Sequence, residues 1–247
     1  PTMASKLIKM ANSTFFGFVK KSKNVSEAVQ RLGLKQTRNV AYSLSVGNLI
    51  KGENSESEEG TEHEYSQYNV WLHSVAAATL NDMLGKYSAS RNVRAVADQA
   101  FLAGLVHDIG IILADQHMKN YYSIPGMTTY VNKSLSHVEA EFLKFTHAEL
   151  GARVLEKWKF PQEIVDAARD HHEPGKSMDK PLTPLTGVTE FVLASEGFPG
   201  FPDIPPNFPT QGLEDVKYSL DIMGESFDKA VSGAQEALPE IMDVFSK

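Results

Sequence analysis

The chain has 247 residues, 42% of them hydrophobic and 22% charged, with no cysteine and a formal net charge of −7. That length suits one large domain or two small ones with a substantial core, and the composition is ordinary for a globular protein. Disulfides and thiolate ligands are excluded, no apolar run approaches a membrane span and no signal peptide is visible. Cytoplasmic residence is the default expectation, and any metal must be held by His and carboxylates.

The charge is unevenly placed. Residues 1–52 carry nine Lys and Arg against Glu27 alone, +8, while the other 195 residues carry 15 basic and 30 acidic side chains, −15. A basic first segment and an acidic body attract each other across an internal interface. Nucleic-acid binding is the sharper reading, but the charge is spread thinly and lacks interleaved aromatics, so no nucleic-acid partner is expected.

Apolar residues at helical spacing begin almost at once, over Thr2–Ala11, so the chain is expected to start inside a domain that extends upstream of Pro1. After a loop over Asn12–Val25, Ser26 is a plausible N-cap for a helix over Glu27–Leu32. Gly33 stops it, and a second helix runs from Lys35 to about Ile50. Lys51–Glu64 is rich in Glu and has no core-forming residue. Residues 53–64 are therefore read as an acidic linker between a smaller N-terminal helical lobe (1–52) and a larger lobe (65–247).

The larger lobe opens with a helix over about Tyr65–Tyr87 carrying His73. A long helix from about Asn92 ends in Gly104-Leu-Val-His-Asp-Ile-Gly-Ile-Ile-Leu113, which sets His107 and Asp108 on inward faces. Residues 117–135 read as irregular, and Ser136–Phe145 as helix. Thr146 and Glu149 form a capping-box pattern, which puts His147 in the first turn of the next helix. Pro161 opens another helix that runs to His171-His172 and is ended by Pro174. Thr183–Glu196 is helical, five prolines between 199 and 209 make a connector, and the tail returns to helical spacing with interruptions at Gly224, Gly233 and Pro239. No segment alternates with strand period, so the fold is all-α.

One inward His is more often a hydrogen-bonded core residue than a ligand. Six ligand-type residues on four helices (His73, His107, Asp108, His147, His171 and His172) are harder to explain that way. An unpaired buried carboxylate would cost several kcal/mol or be protonated. Imidazoles with one carboxylate and no thiolate suit a divalent Fe, Mn, Zn or Ni ion better than Ca or Mg. Close imidazoles should depress one another's pKa while Asp108 stays ionised. His63, His117 and His137 read as surface residues.

The order His, His-Asp, His, His-His resembles the HD superfamily of metal-dependent phosphohydrolases. The surrounding motifs are Leu7-Ile-Lys-Met-Ala-Asn-Ser13, Val29-Gln-Arg-Leu-Gly33, Trp71-Leu-His-Ser74, Ala103-Gly-Leu-Val-His-Asp-Ile-Gly110, His147-Ala-Glu-Leu-Gly-Ala152 and Trp158-x-x-Pro161 through His171-His-Glu-Pro174. Over residues 2–196 they resemble the HDOD family, the HD-related output domains of bacterial signalling proteins. The resemblance implies an HD-domain-like helical bundle and carries the metal-ligand roles of cyclic di-GMP phosphodiesterase relatives onto the same six residues. It also shows departures. Those enzymes have a Lys where this chain has Ile111, a late Asp on the last core helix whose best match is Ser195, and a Gly-Tyr-Pro signature absent after Pro174. The expectation is a non-catalytic signalling module with a degenerate metal site, occupied or empty, that works through contacts with signalling proteins. The alternative is a metal-dependent phosphohydrolase centred on His107 and Asp108, acting on a phosphate ester or cyclic dinucleotide.

Overall fold

A computed structural model of the chain describes residues 3–12, 20–50, 67–118, 122, 134–195 and 225–246. Among the described residues every regular element is helical, in agreement with the sequence. In chain order they are α1 (Met3–Ala11), α2 (Val25–Ile50), α3 (Gln67–Tyr87), α4 (Arg91–Val96), α5 (Ala100–Val106), α6 (Ile109–Met118), α7 (Leu135–Phe142), α8 (His147–Lys157), α9 (Gln162–Asp170), a 3-10 turn (Pro174–Ser177), α10 (Leu182–Ser195) and α11 (Glu225–Ser246). Among them none is long and apolar enough to cross a membrane.

The bundle is built around α3. Its Val75-Ala-Ala-Ala78 stretch is buried together with Val70, Trp71, Leu80 and Leu84, so the helix is covered on nearly all sides. The small Ala faces let α5, α10 and α11 approach closely. At the α3–α5 crossing, a Cβ added to Gly104 would lie 2.5 Å from the Ala77 carbonyl oxygen, so the backbones touch. On the other side α11 lays Ala230, Ala234 and Ala237 into the core, one helical face spaced by four and three. A second layer, α6, α8 and α9, closes the bundle through α6–α8, α8–α9 and α9–α10 contacts.

The helix break at Gly33 is as expected, whereas several other boundaries differ. α2 carries Gly33 at φ 72°, so the chain stops one helix there and starts the next without an intervening loop; the left-handed backbone, not crowding, requires Gly. The cap of α2 is Asn24, not Ser26. Its Oδ1 accepts from the Glu27 backbone N–H at 2.9 Å, and Glu27 in turn accepts from the Lys23 N–H at 2.9 Å. The helix expected from Asn92 is broken twice, into α4, α5 and α6. α7 starts earlier than expected because Ser134 caps it, accepting from the His137 N–H at 3.2 Å. The Thr146–Glu149 capping box is present with both hydrogen bonds. α11 continues through Gly233 and Pro239, both expected to interrupt it; Gly233 fits because a Cβ there would meet the Met83 side chain. The acidic linker at 53–64, the prolines at 199–209 and Gly224 lie outside the described residues.

The basic first segment meets the acidic body as charge predicts. Lys35 on α2 pairs with Asp82 on α3 at 3.0 Å, and Arg38 reaches Asp98 at 3.6 Å and the Asp98 carbonyl at 2.9 Å. Asp82 is buried and also pairs with Lys86 at 2.6 Å. Burial pushes the Asp82 pKa up, but Lys86 and Lys35 hold it below the usual carboxylate value. A depressed folded-state pKa means the stabilisation is present above the unfolded carboxylate's pKa and is lost as pH falls through the folded one. Asp82→Asn is expected to lower the unfolding free energy at neutral pH by about 1–2 kcal/mol, both lysines being partly solvated. Urea unfolding should show the gap from wild type narrowing once the pH drops below about 4.

Candidate metal centre

The residues singled out by sequence converge where α3, α5, α8, α9 and α10 meet. His73 comes from α3, His107 follows the last residue of α5, and Asp108 sits in the turn before α6. His147 is the first residue of α8, and His171 and His172 follow α9 directly. His107 and His171 share a device. Each ring donates from Nδ1 to the carbonyl three residues back, Gly104 at 2.7 Å and Ala168 at 2.9 Å. The ring thereby takes a carbonyl at its own helix end, and α5 and α9 both stop there. This local bond sits at the break in the helix expected through His107.

Close backbone contact places the turns. A Cβ on Gly110 would fall against the His147 carbonyl oxygen, so α6 and α8 meet backbone to backbone beside Asp108 and His147. On Gly187 a Cβ would lie 2.6 Å from the Pro174 ring, which tucks the residues after His171-His172 against α10.

The ligand-type atoms form two groups that share Asp108. One is Asp108, His147, His171 and His172; the other is His73, His107, Asp108 and Glu190, and in each the atoms lie within 4.8 Å of one another. Asp108 Oδ1 faces His147 Nε2 at 3.3 Å and His171 Nε2 at 3.4 Å. Its Oδ2 faces His107 Nε2 at 3.2 Å and His73 Nε2 at 3.8 Å. Glu190 Oε1 stands 2.8 Å from His73 Nε2 and 3.0 Å from His107 Nε2. His172 and His147 meet Nε2 to Nε2 at 2.9 Å.

Glu190 is the residue that sequence reasoning missed. The expectation that α10 brings no carboxylate, with Ser195 at the relevant position, is corrected: the carboxylate arrives five residues earlier. The available signal was its place behind Thr183, Thr186 and Thr189, an unusually polar stripe for a buried helix. Those threonines are all buried. Thr189 donates to Asn81 Oδ1 at 2.6 Å, and Asn81 Nδ2 donates to Thr186 Oγ1 at 3.0 Å and the Ala100 carbonyl at 3.3 Å, which ties α10 to α3 and α5. Of the remaining histidines, His117 and His137 are exposed as expected, and His63 lies outside the described residues.

The donor set fits a cation. His107 Nε2, His171 Nε2 and Asp108 Oδ1 are buried and make no hydrogen bond, although each lies within 3.5 Å of another member of the cluster. With Nδ1–H already donated, the neutral His107 and His171 rings present lone pairs to carboxylate oxygens. Such facing lone pairs need a proton or a metal ion between them.

Electrostatics divide the rings. Burial opposes charge on every one, and the neighbours decide the result. Against burial, Glu190 raises His73, and Asp108 with Glu190 holds His107 well above the ordinary imidazole value. Against burial again, Glu139 and Asp108 push His147 up to about 10. Burial wins at His171, and at His172 burial together with the neighbouring His171 and His147 takes the pKa well down. Asp108 and Glu190 stay well below the carboxylate range despite burial, Asp108 chiefly through His107 and Glu190 through His73 and His107. The expected general fall in imidazole pKa therefore occurs at two rings only. Asp108 accounts for the rest together with Glu190 and Glu139, which are absent from the sequence reading.

A helical domain whose helix ends converge on an imidazole–carboxylate cluster defines the class. The HDOD domain family profile matches residues 1–174, and the chain belongs to that family. An uncharacterized protein of Treponema pallidum (strain Nichols) is 26% identical over 171 residues, 69% of this chain; the chain spans 31% of that relative's length. An HDOD domain protein of unknown function from Geobacter sulfurreducens shares the fold with a TM-score of 0.76 at 16% identity, over 99% of this chain and 81% of that one. A Marinobacter aquaeolei VT8 protein provisionally named for signal transduction gives 0.72 at 21% identity, over 99% and 52%. A Shewanella amazonensis SB2B protein provisionally named a phosphohydrolase gives 0.70 at 17%, over 99% and 81%.

Asp108 is a counter-charge shared by the raised rings, and the leading one for His107. Replacing it by Ala leaves His107 and His147 facing a space without that carboxylate, and the domain is expected to lose on the order of 3 kcal/mol. Urea unfolding of the metal-free protein measures this; an unchanged midpoint would contradict the role given to Asp108.

Proposed function

We propose that this HDOD domain keeps a two-metal centre and acts as a metal-dependent phosphohydrolase. The observation that carries the reading is the single buried carboxylate of Asp108 turned with one oxygen toward each of two ligand groups. His147, His171 and His172 would complete one position, and His73, His107 and Glu190 the other. When bound, a pair of divalent ions such as Fe, Mn, Zn or Ni supplies Lewis-acid stabilisation of phosphoryl charge and a lowered pKa for water. The protein's own contribution is orientation. The Gly104 and Ala168 carbonyls fix the ring faces of His107 and His171, and the hydrogen bonds of Asn81 hold α10 so that Glu190 points inward. Glu190 and His172 are the partly exposed members, so a phosphate ester or cyclic dinucleotide would enter on their side.

A second reading is a regulatory module that works through contacts with signalling proteins. It is favoured by Ile111, a buried core residue where the catalytic relatives carry a cation that could stabilise phosphate. The division into lobes 1–52 and 65–247 belongs to the same proposal, with the Lys35–Asp82 and Arg38–Asp98 pairs holding them together.

Elemental analysis together with assays of bis(p-nitrophenyl) phosphate, p-nitrophenyl phosphate and cyclic di-GMP tests the choice. The phosphohydrolase reading expects two ions per chain and metal-dependent turnover that falls at least about 100-fold in Asp108→Ala and Glu190→Gln. Full metal occupancy with no turnover of any of the three leaves the regulatory reading.

A further inference from the structure

Behind His147 lies a group that neither metal position uses. Glu139 on α7 is completely buried. Its Oε1 accepts from the Tyr122 hydroxyl at 2.6 Å. Its Oε2 accepts from the His147 backbone N–H at 2.8 Å and from the His147 ring Nδ1 at 2.6 Å. His107 and His171 donate the same ring atom to neutral backbone carbonyls. His147 thus differs from them in having a carboxylate at its back.

We infer that Glu139 is a positioning residue that makes the two metal positions unequal, so that the one formed by Asp108, His147, His171 and His172 binds a divalent ion more tightly and fills first. The inference rests on the two-metal reading above. Three observations support it. The hydrogen bond from Nδ1 holds the His147 ring with Nε2 facing Asp108, so an ion there needs to displace a proton from Nε2 but not to reorient the ring. A carboxylate on the far nitrogen raises the donor strength of the ring toward an ion on the near one. Three imidazoles and one carboxylate also make that position the more nitrogen-rich, which suits Zn2+, whereas two imidazoles and two carboxylates suit a harder ion.

Glu139 also satisfies a backbone N–H at the start of α8, and a purely structural role must be separated from this one. Glu139→Gln does so. The amide oxygen can keep both bonds to His147 while the amide N–H2 faces the Tyr122 oxygen, so the shape stays and only the charge goes. The experiment is Zn2+ titration in competition with a chromophoric chelator, with the position of a single equivalent read from anomalous scattering. Wild type is expected to place that equivalent at the His147 position. In Glu139→Gln its affinity should fall about 10- to 100-fold, with the second equivalent within about threefold of wild type. Affinities that are unchanged, or that weaken equally at both positions, would overturn the inference. Tyr122→Phe keeps both bonds to His147 and should bind the first equivalent within about threefold of wild type; a loss as large as that of Glu139→Gln would also overturn it. Wild-type protein that takes up no Zn2+, Mn2+ or Fe2+ would overturn the two-metal reading itself. Two bound ions with an indifferent Glu139→Gln would overturn only the role of Glu139.

Discussion

The interaction on which the junction depends is the buried carboxylate of Asp108 among four imidazoles, with nitrogens 3.2–3.8 Å from its oxygens. Neither side is comfortable alone. A lone carboxylate at that depth would protonate or destabilise the fold, and a lone cluster of rings could carry no charge. Together they hold Asp108 and Glu190 ionised and three of the rings basic. The same balance that keeps the domain folded presents lone pairs toward one small volume. The atoms that stabilise the fold are therefore also the ligand-type atoms of the cluster.

Those atoms are placed by backbone, not by long side chains reaching inward. Gly104 against Ala77 and Gly110 against His147 are contacts in which main chain touches main chain. Close-packed interiors transmit such contacts with little give. His107 and Asp108 occupy the turn between these two crossings, so their positions follow from the docking of α5 on α3 and of α6 on α8. A site supported in this way is as rigid as the bundle.

Much of this was legible in the sequence, for physical reasons that also explain the gaps. Inward His and Asp on apolar faces announce themselves because polar groups there require partners, and the Thr146–Glu149 cap is a local pattern complete within four residues. Long-range partners leave no such trace. Glu190 is drawn into the cluster by His73, 117 positions away, and Glu139 looks like an ordinary helical Glu until Tyr122 and His147 close around it. The breaks flanking α5 leave little trace in the sequence because Ala97, Gln99 and His107 beside them keep helical dihedrals, and the competing donor at one is the His107 ring Nδ1–H, which bonds to the Gly104 carbonyl. Asn24 was passed over for Ser26 because both are good capping residues, and only the position of Glu27 decides between them.

The buried amide of Asn81 has a consequence of a different kind, concerning register. Apolar contacts between α3 and α10, such as Leu185 beside Gly85, specify register less strictly than directional bonds do. The hydrogen bonds to Thr186 and Thr189 cannot slide. A shift of one residue would turn α10 by about 100° and strand polar atoms away from water, at about 1–3 kcal/mol each. Asn81 thus works as an indexing pin. It adds little to how tightly the two helices adhere, but it decides which residue of α10 faces the histidines, and in this chain that residue is Glu190.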